Sequence, residues 1–199
     1  GASRPATATG GDYFDFILDS RGDLVVVVGD VTGHGLGPAL LMADARAYLR
    51  TLVLWKRNLA EILELESHLL GKDLGTDQFI TLFLARLKPG AGDWEFINAG
   101  HPAGYVIGPD GRLKTEMVST VPALGILQGE HAVSSRLALE KGDLVLLLTD
   151  GVLEARAPAG EEFGETRVLD IVRRERARPA ADIIRMLLDE ARRFGEPDS

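Results

Sequence analysis

The chain has 199 residues, 45% of them hydrophobic and 26% charged, with a formal net charge of −8 at pH 7. This fits one globular domain with a sizeable core, and the acidic balance argues against non-specific nucleic-acid binding, which needs Lys and Arg to neutralise phosphates. The lack of cysteine excludes disulfides, thiolate catalysis and cysteine zinc sites, and it suits a reducing cytoplasm. No apolar run approaches the roughly 20 residues that span a bilayer, and no signal peptide is visible.

Residues 13–18 alternate imperfectly and predict a strand; Asp19-Ser20-Arg21-Gly22-Asp23 reads as a turn, and residues 24–28 return as the hairpin partner. Pro38 stands where a helix would begin, and residues 39–54 are rich in helix formers. Leu59, Ile62, Leu63, Leu69 and Leu70 place a second helix after it. Residues 79–87 and 94–98 read as strands on either side of Pro89-Gly90-Ala91-Gly92-Asp93. Pro109-Asp110-Gly111 predicts a hairpin between residues 105–107 and 112–114. Residues 133–139 and 144–148 form the next predicted strand pair, joined by Glu140-Lys141-Gly142-Asp143. The C-terminal part is helical, with Ala180, Ile183, Ile184, Leu187, Leu188 and Ala191 on one stripe. Hairpins with one helical pair inserted and one appended indicate an α+β fold rather than βαβ units. The expected architecture is two antiparallel sheets packed face to face with helices outside.

Two aspartates directly follow apolar runs. Leu24-Val25-Val26-Val27-Val28 leads into Gly29-Asp30-Val31-Thr32-Gly33-His34-Gly35, and Leu144-Val145-Leu146-Leu147-Leu148 leads into Thr149-Asp150-Gly151. Such runs read as buried strands, and a carboxylate at the rim of a core is costly to keep ionised unless a cation or donor meets it. Two such strand ends suggest convergence on one metal, and Gly10-Gly11-Asp12-Tyr13-Phe14-Asp15 is the acidic segment that would complete it. Oxygen ligands suit Mg²⁺ and Mn²⁺, and the surrounding glycines let a backbone carbonyl such as that of Val31 approach. Two ions ~3.5–4 Å apart hold a nucleophilic hydroxide and neutralise phosphoryl oxygens.

Plainer readings compete at each position. Asp150 serves equally as a turn residue or a helix N-cap. The Gly33–Gly37 stretch, with no Gly-Lys-Ser/Thr, is not a Walker loop and reads also as a flexible loop. His34 and His101 lie in glycine-flanked loops, where a histidine is more often solvated than catalytic. Asn98-Ala99-Gly100-His101-Pro102 most simply ends a strand in a sharp turn, and Glu154 reads also as a surface carboxylate.

The segments Gly10-Gly11-Asp12-Tyr13-Phe14-Asp15 and Gly29-Asp30-Val31-Thr32-Gly33-His34-Gly35 resemble the opening of the bacterial SpoIIE/RsbU-like phosphatases. These belong to the metal-dependent (PPM, 2C-type) protein phosphatase superfamily. Phe79-Ile80-Thr81-Leu82-Phe83, Asn98-Ala99-Gly100-His101-Pro102, Leu148-Thr149-Asp150-Gly151-Val152-Leu153-Glu154-Ala155-Arg156 and Phe163-Gly164 continue the match in the family's order. The resemblance implies a four-layer αββα sandwich and a binuclear Mn²⁺ or Mg²⁺ centre. It implies hydrolysis of phosphoserine or phosphothreonine on a protein, usually a phosphorylated STAS-domain anti-sigma-factor antagonist. Transferred residue by residue, Asp30 bridges the metals, Val31 offers its carbonyl, Asp150 binds one ion and Asp12 holds the other, directly or through water. Asp12, Asp30 and Asp150 are thus the expected catalytic set. No acid role transfers to His34.

One departure stands out. The family pattern closes on an Asp-Asp pair leading into a last core strand, whereas this chain ends Glu196-Pro197-Asp198-Ser199, leaving Asp198 as the nearest candidate. The expectation is a single phosphatase domain over residues 1–199, trimmed at both ends, since the first core strand also looks short before Arg4. A sensory or receiver domain upstream in the same chain and a homodimer fit this reading. A non-catalytic binding module with the same fold is the alternative, and a small-molecule phosphoesterase a third. The helical pair between about Pro38 and Leu70 is the expected regulatory lever, because residues 29–37 join Asp30 to the first helix, whose Arg46 and Arg50 are expected to face outward. The competing role for the pair is plain cover of a sheet.

Overall fold

The structure, a computed structural model, describes residues 1–3, 10–75, 77–88, 90, 92–126 and 132–195. The chain divides into two compact units, one of Ser3–His101 with Val118–Glu140, the other of Gly1–Ala2, Pro102–Met117 and Lys141–Ser199. Each contains one antiparallel sheet and its helices, so the α+β class with two antiparallel sheets is as expected.

The first unit is built on strands β1 (Tyr13–Leu18), β2 (Leu24–Val31), β3 (Ile80–Leu87) and β4 (Asp93–Ala99), with helices α1 (Leu36–Trp55) and α2 (Leu59–Leu70) between β2 and β3. Alternation dictates β1: Tyr13, Asp15 and Ile17 are buried, while Phe14, Phe16 and Leu18 are exposed. The valine-rich β2 pairs with β1 on one side and β3 on the other, which suits β-branched residues on a pleated surface. Leu41, Met42, Ala45, Leu49 and Val53 repeat at helical spacing and give α1 its buried face. The Asn58 side chain accepts the Ala60 N–H at 2.9 Å and caps α2. Both helices share one core with Val25, Val27, Leu82, Leu84 and Ile97 of the sheet. Each such fully buried side chain contributes about 1.5–3 kcal/mol.

The second unit carries β5 (Gly104–Ile107), β6 (Leu113–Met117) and β8 (Leu144–Leu146), in the order β6-β5-β8. Helices α3 (Asp150–Leu153), α4 (Gly164–Glu175) and α5 (Ala180–Gly195) follow. Ile183, Leu187 and Ala191 of α5 join Val168 and Val172 of α4 and Ile107 of β5 in one core. The Phe163 and Phe194 rings meet edge to face at 5.4 Å, and the Arg167 guanidinium lies 4.7 Å from the Phe194 centroid.

Two sequence expectations are corrected here. Strand β7 (Ser135–Ala138) does not pair with β8: it pairs with β4 at the edge of the first unit's sheet, giving the order β1-β2-β3-β4-β7, whereas β8 pairs with β5. Leu139 N–H extends the first ladder onto the Gly92 carbonyl at 2.8 Å, so Glu140–Asp143 is a crossover between sheets and not a hairpin turn. The second apolar run is also less buried than it reads. Only Leu144–Leu146 is strand, and Leu147 and Leu148 are half-buried and outside it. Among the described residues, no helix is long and apolar enough to cross a membrane.

Candidate metal centre

In the first unit the antiparallel register of β1 and β2 pairs Tyr13 with Gly29. Extended by one residue, it sets Asp12 across from Asp30. On the other side Asp30 is registered with Thr81 of β3. Asp30 and Asp12 are both half-buried, while Val31, the last residue of β2, is fully buried. Gly11 shows how tightly these segments meet: a Cβ there would lie 2.6 Å from the Val31 carbonyl oxygen and 2.9 Å from Asp30 Oδ1. Only glycine leaves that space open.

The loop beyond Asp30 is pinned at its start. Thr32 N–H donates to the Phe79 carbonyl at 3.1 Å, and Phe79 N–H returns to Thr32 Oγ1 at 3.0 Å. Gly33 and Gly35 then adopt φ of +94° and +93°, the left-handed region, and carry the chain into α1. His34 between them is exposed, as its loop position suggested. His101 is not: it is 4% exposed, against the expectation of a solvated loop histidine. Its N–H donates to Asn98 Oδ1 at 2.9 Å, and its Nδ1 shares a hydrogen bond with Thr81 Oγ1 at 2.8 Å. Thr81 and Asn98 are therefore structural members of the region that residue-by-residue reading missed. The polar Thr81 within the apolar stretch 79–84 was the available signal.

Asp150 belongs to the second unit. It is exposed and is the first residue of the short α3; its carbonyl accepts the Glu154 N–H at 2.8 Å. Glu154 is exposed as well. Asp198 lies outside the described residues, as do residues 4–9.

The end of the β1–β2 ladder and the close approach at Gly11 thus gather Asp12, Asp30 and the Val31 carbonyl in one region, while Asp150 belongs to the other unit. Among the described residues, no group of three or more His, Asp or Glu side chains is arranged to hold a metal ion. The donors joined in the first unit are two carboxylates and a carbonyl. That is an all-oxygen set, and hard divalent cations such as Mg²⁺ and Mn²⁺ take such ligands and complete their shells with water.

Solved PP2C phosphatase domains share this fold at a TM-score of 0.79 with 21% and 15% identity, over 94% and 96% of the chain. The fold is therefore that of the PP2C-type phosphatases. The family model for stage II sporulation protein E (SpoIIE) matches residues 20–199, and the chain belongs to that family. Its relatives include Protein IcfG of Synechocystis, 27% identical over 83% of this chain and 30% of that protein. The phosphoserine phosphatase RsbU of Bacillus subtilis is 27% identical over 79% of this chain and 47% of its own length. The chain thus spans less than half of either curated relative. The RsbU and RsbW domains of Rv1364c from Mycobacterium tuberculosis superpose with a TM-score of 0.82 at 28% identity, over 98% of this chain and 54% of that one.

Proposed function

We propose that this chain is the catalytic domain of a metal-dependent protein serine/threonine phosphatase, acting on phosphoserine or phosphothreonine of a regulatory protein. The observation that carries the reading is the close approach of Gly11 to Asp30 Oδ1 and the Val31 carbonyl, beside a β1–β2 ladder whose last pair, Tyr13–Gly29, directly adjoins Asp12 and Asp30. In this reading Asp12, Asp30 and the Val31 carbonyl hold Mn²⁺ or Mg²⁺ as part of a binuclear site, and Asp150 supplies a further carboxylate. Bound cations supply Lewis-acid activation of water and neutralise phosphoryl charge. The chain's own part is to keep two carboxylates and a carbonyl fixed at the ends of paired strands. The Thr32–Phe79 and Thr81–His101 hydrogen bonds hold those strand ends in place.

The substrate we favour is a phosphorylated STAS-domain anti-sigma-factor antagonist. The RsbU identity and the pairing of RsbU and RsbW domains in the mycobacterial protein support a partner-switching setting. The working unit is residues 1–199 as one phosphatase domain in a cytoplasmic protein. A sensory or receiver domain upstream and a homodimer complete the proposal. The test is turnover of a phosphoserine STAS protein by the full-length protein with Mn²⁺, with chelator, and with Asp30→Ala. Turnover that needs the metal and is lost in the variant is the expected result. Turnover that survives both changes would refute a metal mechanism. Mn²⁺ binding with no turnover of any phosphoprotein would favour the non-catalytic module.

A further inference from the structure

Asp15 breaks the pattern of its own strand. The inward positions on either side of it, Tyr13 and Ile17, are members of the apolar core, yet Asp15 shares their face and is 9% exposed. Burying a carboxylate is costly unless it is paired and hydrogen-bonded. Here every acceptor site is used. Arg50 Nε and Nη2 donate to its two oxygens at 2.7 and 2.8 Å, a bidentate fork. The Tyr13 hydroxyl donates to Oδ2 at 2.7 Å, and Phe16 N–H donates to Oδ1 at 2.9 Å. Arg46 Nε stands 3.5 Å from Oδ2. Arg46 and Arg50, expected to face outward from the first helix, are half-exposed but turned onto β1. Burial alone would raise the Asp15 carboxyl, and the hydrogen bonds from Arg50, Tyr13 and Phe16 outweigh it, holding the group below its ordinary value.

The two arginines are half-exposed, and ion pairs to such groups add little net stability. What the fork does is join α1 to β1 through two parallel hydrogen bonds. We propose that the Asp15–Arg50 fork, with Tyr13 and Arg46, is a brace that sets the position of Asp30 and Val31 relative to Asp12, so that Asp15 and Arg50 are positioning residues of the metal centre. Asp12 directly precedes β1, three residues before Asp15, and residues 32–35 tie α1 to the Asp30–Val31 strand end. Arg50 lies 14 residues into the helix, about 21 Å along its axis at 1.5 Å per residue. A tilt of about 5° about that point would carry the start of the helix by roughly 2 Å, given this lever length. Mg²⁺ demands near-octahedral placement at ~2.0–2.1 Å and tolerates far less displacement.

This inference rests on the metal-centre reading, and one experiment separates the two. Mn²⁺ binding to the full chain is measured by calorimetry for the parent protein, Asp30→Ala, Asp15→Asn, Arg50→Ala, Arg50→Lys and the Asp15→Asn/Arg50→Ala double variant, with metal-free thermal unfolding in parallel. Removing either half of the brace is expected to weaken Mn²⁺ binding about tenfold, the low end of effects for groups that orient metal ligands. The double variant should be no weaker than the singles, because one unit is being broken. Arg50→Lys, which keeps the charge and loses the fork, should fall between, and it serves if Arg50→Ala does not fold. Unchanged Mn²⁺ affinity in Arg50→Lys and Asp15→Asn with a lowered unfolding temperature would make the cluster structural only and overturn the brace, while loss of binding in Asp30→Ala kept the metal reading intact. Mn²⁺ binding that Asp30→Ala leaves unchanged would overturn both.

Discussion

Asp30 and Asp150 follow apolar runs of equal length, yet their surroundings differ. The first run is a strand paired on both sides, with Val25 and Val27 fully buried and Asp30 still within the ladder. The second shrinks to a three-residue edge strand, passes through half-buried Leu147 and Leu148, and delivers Asp150 to the exposed start of a short helix. One carboxylate is held by cross-strand hydrogen bonds and close packing. The other hangs on a segment with few such restraints. Ladder residues resist local opening far better than exposed helix starts, so the two halves should respond differently to mutation.

The largest effect is expected from the carboxylates themselves. Asp30→Ala and Asp150→Ala should each lower phosphatase turnover by about 10²–10³-fold, the range seen when one charge-stabilising group is lost. Only Asp30→Ala should also abolish Mn²⁺ binding to the isolated chain. Equal loss of binding in both would erase the contrast drawn here. Next comes the support beneath them. Leu84→Ala, in the core under the first sheet, should destabilise the protein by about 2–5 kcal/mol in denaturant unfolding, whereas Leu147→Ala should cost less than about half of that. Similar costs would show that the second run is packed as firmly as the first.

Gly11→Ala sharpens the picture at the ligands. Its Cβ would sit 2.6 Å from the Val31 carbonyl oxygen, and Mn²⁺ affinity should fall about tenfold, as for other changes that disturb ligand orientation. A pH-dependent effect concerns one carboxyl in the core of the first unit. Glu66 of α2 is fully buried, and neither carboxyl oxygen has a hydrogen-bond partner. Burial pushes its pKa up to about 9. Its native state therefore keeps a proton that the unfolded chain has already released, so this contribution is fully present below about pH 4.5 and is lost as pH rises towards 9. Unfolding at a series of pH values should show a fall of at most about 1.4 kcal/mol per pH unit over that window. Glu66→Gln should flatten it. A slope that persists in the variant would assign the dependence to other groups.

Sequence by itself determined the local elements and the chemistry on offer. Alternation marked β1, Pro38 and a run of helix formers marked α1, helical spacing marked α2 and α5, and turn residues marked the hairpins of β1–β2 and β5–β6. These signals are carried by neighbours along the chain, so no tertiary knowledge is needed to read them. The family motifs likewise nominated Asp12, Asp30, Val31 and Asp150, because a run of residues needs no coordinates to be compared. Partnership was decided only by tertiary structure. Strand β7 left its sequence neighbour β8 for β4, whose ladder it extends. The buried His101 ring bonds to Thr81, 20 positions away, and Arg50 bonds to a carboxylate 35 positions away. Each of those contacts joins residues remote in sequence, and their energies depend on burial and distance, which exist only once the chain has folded.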